Sequence, residues 1–313
     1  MSEDRSGEAG ECKVAAVTGA FGYSGKYIAR RLLDRGYRVV NLTGHPDRPD
    51  PFDGEVEVAG RRFDDPDSLA RSMEGAAVLF NTYWVRFARG GETFEKAVEN
   101  SVTLFHAAKK AGVRRVVHTS IANPSEDSPL GYYRGKALVE KALQDSGLSH
   151  AILRPTVIFG KEDILINNIA WSLRKLPFFA IPGDGSYKIQ PVFVEDFADL
   201  AIQAAESEES TVQDAVGPEV FTFDKLVRLV AGAIGRPARL VHVPPTLVFW
   251  ATRAVGFFVK DVILTREEIA GLMDNLLVSD GPATGQTRLS EWLKENAGSV
   301  GVSYASEVGR HFR

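Results

Sequence analysis

VAAVTGAFGYSG, residues 14–25, decides the fold. Residues 14–17 are four consecutive apolar positions, the signature of a short buried strand. Glycines follow at 19, 22 and 25, and residues 27–33 then place Ile28, Leu32 and Leu33 on one helical face. Glycine is required in a turn of this kind for three reasons. The backbone needs freedom, a pyrophosphate must approach main-chain N–H groups, and the helix must pack close to the strand. In a chain with 29 glycines the spacing alone says little. Its position at the first strand–helix junction makes it a dinucleotide signal, with Gly19, Phe21, Gly22, Tyr23 and Gly25 as expected cofactor contacts.

Working outward, apolar runs at 38–43, 56–63, 77–80, 115–119 and 151–153 alternate with helical patterns, notably 93–111 and 132–144. Parallel strands joined by crossover helices bury both faces of such a sheet. The expectation is an α/β, doubly wound parallel Rossmann sheet over residues 13–160, with the ligand crevice at the carboxyl ends of its strands. After Pro155 the rhythm changes: Pro177, Pro182, Pro191 and Gly183-Asp184-Gly185 break the chain, and helices are expected at 195–205, 223–234, 266–276 and 290–296. We read 161–191 and 218–313 as a smaller, mostly helical lobe on the substrate side. Residues 192–217 return to the sheet domain, and residues 1–12 form a loose tail.

Composition excludes several partners. Lys and Arg number 37 against 41 Asp and Glu, a net charge of −4, which gives no field for a nucleic acid backbone. The lone Cys12 cannot form an internal disulfide and suits a reducing, cytoplasmic setting. The acidic start of the chain has no apolar core, so neither a signal peptide nor an anchor is expected there. Residues 244–264, PPTLVFWATRAVGFFVKDVIL, are broken by Arg253, Lys260 and Asp261 and fall short of the roughly 20 apolar residues needed to span a bilayer. A buried helix, or one lining an apolar pocket, is expected, membrane association is not, and the Leu247–Phe258 segment stays open to lipid, quinone or core. The six histidines, His45, His106, His118, His150, His242 and His311, are too scattered for a metal site. His118 reads as a satisfied core histidine. Asp64, Asp65 and Asp67 read as the N-terminal cluster of a helix, and Glu195-Asp196 as a helix cap.

Two further patterns carry chemistry. Tyr132 and Lys136 lie four apart at a helix start and therefore share a face. A phenol with its ordinary pKa near 10 is a poor acid–base group at pH 7, and a nearby ammonium lowers it. Ser120, at the end of the preceding strand, is placed to polarise a carbonyl. The second strand ends Leu42-Thr43-Gly44-His45 without the acid that would hold a ribose 2′-hydroxyl. With His45 and Arg48 nearby, NADP(H) is preferred over NAD(H).

TGAFGYSG (18–25), Tyr132-x-x-x-Lys136, Leu153-Arg154-Pro155 and Asn100 in its helix resemble the extended or atypical short-chain dehydrogenase/reductase superfamily. PGDGSYKIQPVFVEDFADLA and GPEVFTFDKLVRLVAGAIG are similar to nucleotide-sugar epimerase/dehydratase-like proteins, near the group of the complex I accessory nucleotide-binding subunit. The resemblance implies NADP or NAD binding with Pro155 near the cofactor, Tyr132 as acid–base residue, Lys136 as its partner and Ser120 as carbonyl polariser. Arg62 stands where these families place an adenine-reading aspartate, and could stack or reach a 2′-phosphate. Tyr83-Trp84 stands where small residues flank the nicotinamide. The expected activity is an NAD(P)-dependent oxidoreductase passing hydride between nicotinamide and a carbonyl or secondary alcohol of a small-molecule substrate. A nucleotide-sugar epimerase/dehydratase, or a non-catalytic NADP(H)-binding assembly or redox-sensing protein, are the alternatives; a homodimer is left open.

Overall fold

A computed structural model describes residues 13–259, 261–306 and 309; the expected tail of residues 1–12, with Cys12, lies outside them, as do Lys260 and His311. Seven parallel strands form the central sheet. They are β1 (Val14–Thr18), β2 (Arg38–Thr43), β3 (Val56–Gly60), β4 (Ala76–Asn81), β5 (Arg115–Thr119), β6 (Ser149–Pro155) and, far downstream, β11 (Thr211–Ala215). Their order is β11-β6-β5-β4-β1-β2-β3. β1, buried along its whole length, lies between β2 and β4, so strand order reverses beside it and a crevice opens at its carboxyl end.

Alternate residues of each strand serve opposite faces. Ala15, Val17 and Val117 pack with Ile28 and Leu32 of α1 (Tyr23–Asp34) and with Phe197 and Ala201 of α6 (Val194–Glu206). Ala16, Leu79, Val116 and Ile152 face α2 (Pro66–Arg71), α3 (Phe94–Lys110) and α4 (Gly131–Asp145) through Leu69, Leu104, Phe105 and Leu143. β3 stops at Gly60, short of the expected residue 63, although Arg61 still donates its N–H to Thr43 O at 2.8 Å. Asp65 then caps α2, accepting from Ser68 N at 3.0 Å.

The second core gathers Phe159, Ile169, Leu226, Val230, Trp292 and Leu293. It is built from β7 (Ile158–Phe159), α5 (Leu165–Lys175), β8 (Phe179–Pro182), β9 (Lys188–Ile189), β10 (Val192–Phe193), β12 (Phe221–Thr222), α7 (Phe223–Ala233), β13 (Leu240–Val243), α8 (Pro245–Val259), α9 (Arg266–Met273) and α10 (Leu289–Asn296). Helices dominate, as the periodicity predicts. The ladders β7–β10, β8–β13 and β9–β12 were invisible to it because strands of two to four residues have no period. Nor was α5 foreseen; Asp163 starts it, accepting from Ile166 N at 2.7 Å.

Two expectations need correction. Glu195-Asp196 does not cap α6, whose N-cap is Phe193; the Asp196 carboxylate instead accepts from Gln286 N (2.8 Å) and Thr287 N (2.7 Å), tying a distant loop to the helix. The 244–264 stretch forms α8, yet it is not a buried helix. Val248 is buried where the helix meets β8 and α9, while Leu247 and Trp250 are 56 % and 59 % exposed. The Phe257 and Phe258 side chains of that segment lie outside those described. Among the described residues no helix is long and apolar enough to cross a membrane.

Arg154 grips the buried Glu140, its Nε 3.0 Å from Oε1, and so fastens α4 to β6. Removing the cation strands a buried carboxylate, so Arg154→Ala should destabilise the fold by about 2–3 kcal/mol. The double variant R154A/E140A should recover part of that loss in a denaturant titration.

Candidate active site

The turn between β1 and α1 is built from the backbone outward. Gly19 has φ +70°, a left-handed conformation suited to glycine. Its N–H donates to Leu42 O (3.0 Å), and its carbonyl accepts from Gly22 N (2.8 Å). Asn41 Oδ1 accepts from Ala20 N at 2.8 Å and fixes the loop to β2. At Gly25 a Cβ would lie 2.2 Å from Gly19 O, so no other residue fits there without moving α1. Gly22 caps α1 with no side-chain hydrogen bond, leaving the first amides of the helix facing a cleft of about 480 Å³. That volume lies within the ~300–1,000 Å³ range of small-molecule sites. Phe21, Tyr23, Lys26 and Arg48 line the cleft. So do Ser306 and Gly309, which sequence reasoning did not connect with the loop because almost 300 residues separate them. Lys26 pairs with Glu162 at 2.6 Å, and Tyr27 OH donates to the same carboxylate at 2.7 Å. The arrangement offers main-chain donors, a helix N-terminus and basic side chains, which are what a diphosphate needs.

At the carboxyl ends of β2 and β3 the basic residues separate. His45 is exposed, its N–H donating to Thr43 Oγ1 at 3.0 Å, and Arg48 is half-buried at the cleft. Arg62 is exposed and 3.5 Å from Asp64. Its neighbour Arg61, missed in the sequence, turns inward: its guanidinium lies 4.3 Å from the Tyr83 ring centroid and 5.1 Å from that of Phe63. Strand parity could have found it, since adjacent residues leaving a strand point to opposite faces. Tyr83 is itself fixed, its hydroxyl accepting from Asn100 Nδ2 at 2.9 Å.

Ser120 follows the carboxyl end of β5, and Tyr132 and Lys136 lie in the first turns of α4, where Lys136 reaches back to the last residue of β5. Ser120 donates its N–H to Leu153 O at 2.7 Å, and its Oγ is buried with no hydrogen-bond partner. The loop beyond it is held by Ala122 N, which donates to Pro155 O at 2.8 Å, and by Asn123 Nδ2, which donates to Leu276 O and Val278 O. Pro155 thus ends β6 with its carbonyl already engaged. Tyr132 packs edge-on against Trp84 and Phe94, with centroids 5.9 Å apart in both cases. Lys136 donates to Thr119 O at 2.8 Å and stands 4.7 Å from the Trp84 ring centroid.

The expected acidification of Tyr132 by Lys136 is not what this geometry produces. Burial pushes the phenol up to about 12, Glu268 adds to the rise, and Arg86 opposes it. Burial also pulls the Lys136 amine down to about 7. Trp84, whose indole lies against both side chains, is part of that burial, with Phe94 and Tyr133 around the Tyr132 ring. Glycines admit the aromatics: a Cβ at Gly135 would lie 2.8 Å from the Trp84 ring, and one at Gly131 2.8 Å from the Phe94 ring. His118 also departs from expectation. It is fully buried, with Nδ1 3.1 Å from Asn81 Nδ2, but its Nε2 has no partner. Burial, and then the charge of Lys136, hold it well below the usual imidazole range. No cluster of three or more metal-ligating side chains occurs among the described residues.

Two outcomes are expected. Gly25→Ala should abolish nucleotide binding measured by calorimetry and lower the melting temperature, because the added methyl collides with backbone. Lys136 has a folded pKa near 7 against an ordinary 10.5, so between those values the unfolded chain holds the extra proton and stability rises with pH. Lys136→Met should flatten that rise in urea titrations at pH 7, 8.5 and 10.

Comparison with known proteins places the family and the fold. Residues 11–289 match the NmrA-like family. The chain is 29 % identical, over 85 % of its length and 71 % of the relative's, to mitochondrial NADH dehydrogenase (ubiquinone) 1 alpha subcomplex subunit 9 of Arabidopsis thaliana. The Escherichia coli NADPH-dependent quinone oxidoreductase complexed with NADPH superposes with a TM-score of 0.70 at 21 % identity, covering 96 % of this chain and all of that one. Citrobacter triphenylmethane reductase complexed with NADP(H) gives 0.69 at 18 % identity, covering 91 % and 99 %. At such identities the two structures establish a shared fold. With the match running from before β1 to the start of α10, the chain belongs to the NmrA-like family, within the extended short-chain dehydrogenase/reductase superfamily.

Proposed function

We propose that this protein binds a nicotinamide dinucleotide, NADP(H) or NAD(H), and acts as a reductase on a carbonyl-like small molecule. The observation that carries the reading is the Gly19–Gly25 cradle at the carboxyl end of β1, with Ser120 at the carboxyl end of β5, on the far side of β4, and Tyr132 and Lys136 in the helix that follows. Gly19, Phe21, Gly22, Tyr23 and Gly25 would hold the diphosphate, with the first amides of α1 as donors. The bound dinucleotide supplies the hydride. Every other task falls to the chain. Tyr132, protonated at neutral pH, gives its proton to the substrate oxygen. Ser120 Oγ, buried without a partner, donates a hydrogen bond to the same oxygen. Lys136, about half-protonated at pH 7, is positioned by the Thr119 carbonyl. The crystallised reductases of the same fold, with NADPH and NADP(H), support this reading.

A second reading rests on Trp84. Its indole lies against both Tyr132 and Lys136, and the phenol is raised instead of lowered. Those features suit a dinucleotide-binding assembly or sensing protein, as does the likeness to a subunit of a larger NADH dehydrogenase. NADPH and NADH oxidation across a panel of quinones, dyes and aldehydes separates the two readings. For a reductase, Tyr132→Phe should cut turnover by about 10²–10⁴-fold with cofactor affinity unchanged. Trp84→Ala should widen acceptor range. If neither the natural chain nor W84A oxidises either cofactor with any acceptor, the reductase is excluded and the non-catalytic reading stands.

A further inference from the structure

Among the described residues, several guanidinium groups withdrawn from water are provided with acceptors. Arg115 donates to Ala204 O at 2.7 Å, to Ser149 Oγ at 2.6 Å and to Glu209 O at 2.8 Å. Arg174 donates to Val300 O and Ala297 O, and Arg154 to Glu140. Arg61 differs. Its Nε is buried without a hydrogen-bond partner, and among the described residues no carboxylate comes within ion-pair distance of its guanidinium. The Tyr83 and Phe63 rings attract the cation through their faces, but they accept nothing from its in-plane N–H fork. Burial disfavours the cation most, Tyr83 and Glu92 favour it, and Arg48 opposes it by the smallest amount. A guanidinium whose buried Nε has no acceptor is a place for an anion.

The position specifies which anion. Arg61 follows β3 and is bonded through its N–H to Thr43 O, the last residue of β2. Next to it stands Gly44, exposed, where a Cβ would lie 3.4 Å from Arg61 Nη2. The end of the second strand is where a bound dinucleotide places its adenosine ribose, and an acid there would select a free 2′-hydroxyl. Here that place has no side chain, and a guanidinium reaches it from the neighbouring strand.

We propose that Arg61, across the opening left by Gly44, binds the 2′-phosphate and makes this protein selective for NADP(H) over NAD(H). The inference rests on the dinucleotide reading above and deepens it. Neither His45 nor Arg62 is required; Arg62 stays at the surface beside Asp64.

The test titrates the full chain with NADPH, NADH, 2′,5′-ADP and 5′-AMP by calorimetry. The natural protein should bind NADPH more tightly than NADH, and 2′,5′-ADP more tightly than 5′-AMP. Arg61→Gln should weaken NADPH and 2′,5′-ADP by about 10–100-fold, with NADH changed by less than about threefold. Gly44→Asp should shift selectivity in the same direction, since its carboxylate meets Arg61 and repels the phosphate. That surface variant carries the test if R61Q fails to fold. Equal loss of NADPH and NADH in R61Q, no loss of either, or a natural protein that favours NADH would each overturn the role of Arg61 while leaving dinucleotide binding intact. A natural protein that binds none of the four probes would overturn the dinucleotide reading itself, and the inference with it.

Discussion

Everything in the sheet domain depends on how closely α1 approaches β1. With a Cβ at position 25 only 2.2 Å from Gly19 O, the helix sits against the turn with no room for a side chain between them. That contact sets the angle at which α1 leaves the strand and aims its N-terminal amides into the cleft. Asn41 reinforces it from β2 through the Ala20 N–H. A diphosphate site and a tightly packed strand–helix unit are therefore one structural solution.

The opposite end of the crevice follows a similar rule with a different outcome. Gly131 and Gly135 on α4 give Phe94 and Trp84 room to lie against the helix, and Trp84 then stands between the demands of Tyr132 and Lys136. Burial dominates both ionisations, raising the phenol and lowering the amine, so both groups are driven toward their neutral forms. The surroundings of the pair are thus dry and aromatic, which strengthens every hydrogen bond made there.

The smaller lobe is tied to this site at several points. Asn123, in the left-handed region at φ +54°, links the loop after Ser120 to residues 276 and 278. Asp196 anchors the loop at 286–287. Asn167 and Asn168 on α5 bind the backbone of Gly301 and Ala305, which leads the chain on to Ser306 and Gly309 at the glycine-rich cleft. These are polar contacts between remote segments, and each fixes backbone that would otherwise be free to move.

The glycine spacing, the alternation of apolar runs with helical patterns and the Tyr132–Lys136 interval are local properties of the chain, and from them the sheet, its crevice and the edge that carries the site could be read. Short-range chemistry suffices there, because a strand's parity and a helix's period are set by neighbours in sequence. The inward turn of Arg61, the contact of Trp84 with both members of the pair, the half-satisfied His118 and the arrival of Ser306 at the cleft lined by Gly22 could not be read in that way. Each depends on which distant side chain fills a given space and on how much water it removes. Burial and long-range packing have no signature in the order of residues, so the tertiary structure alone decided them.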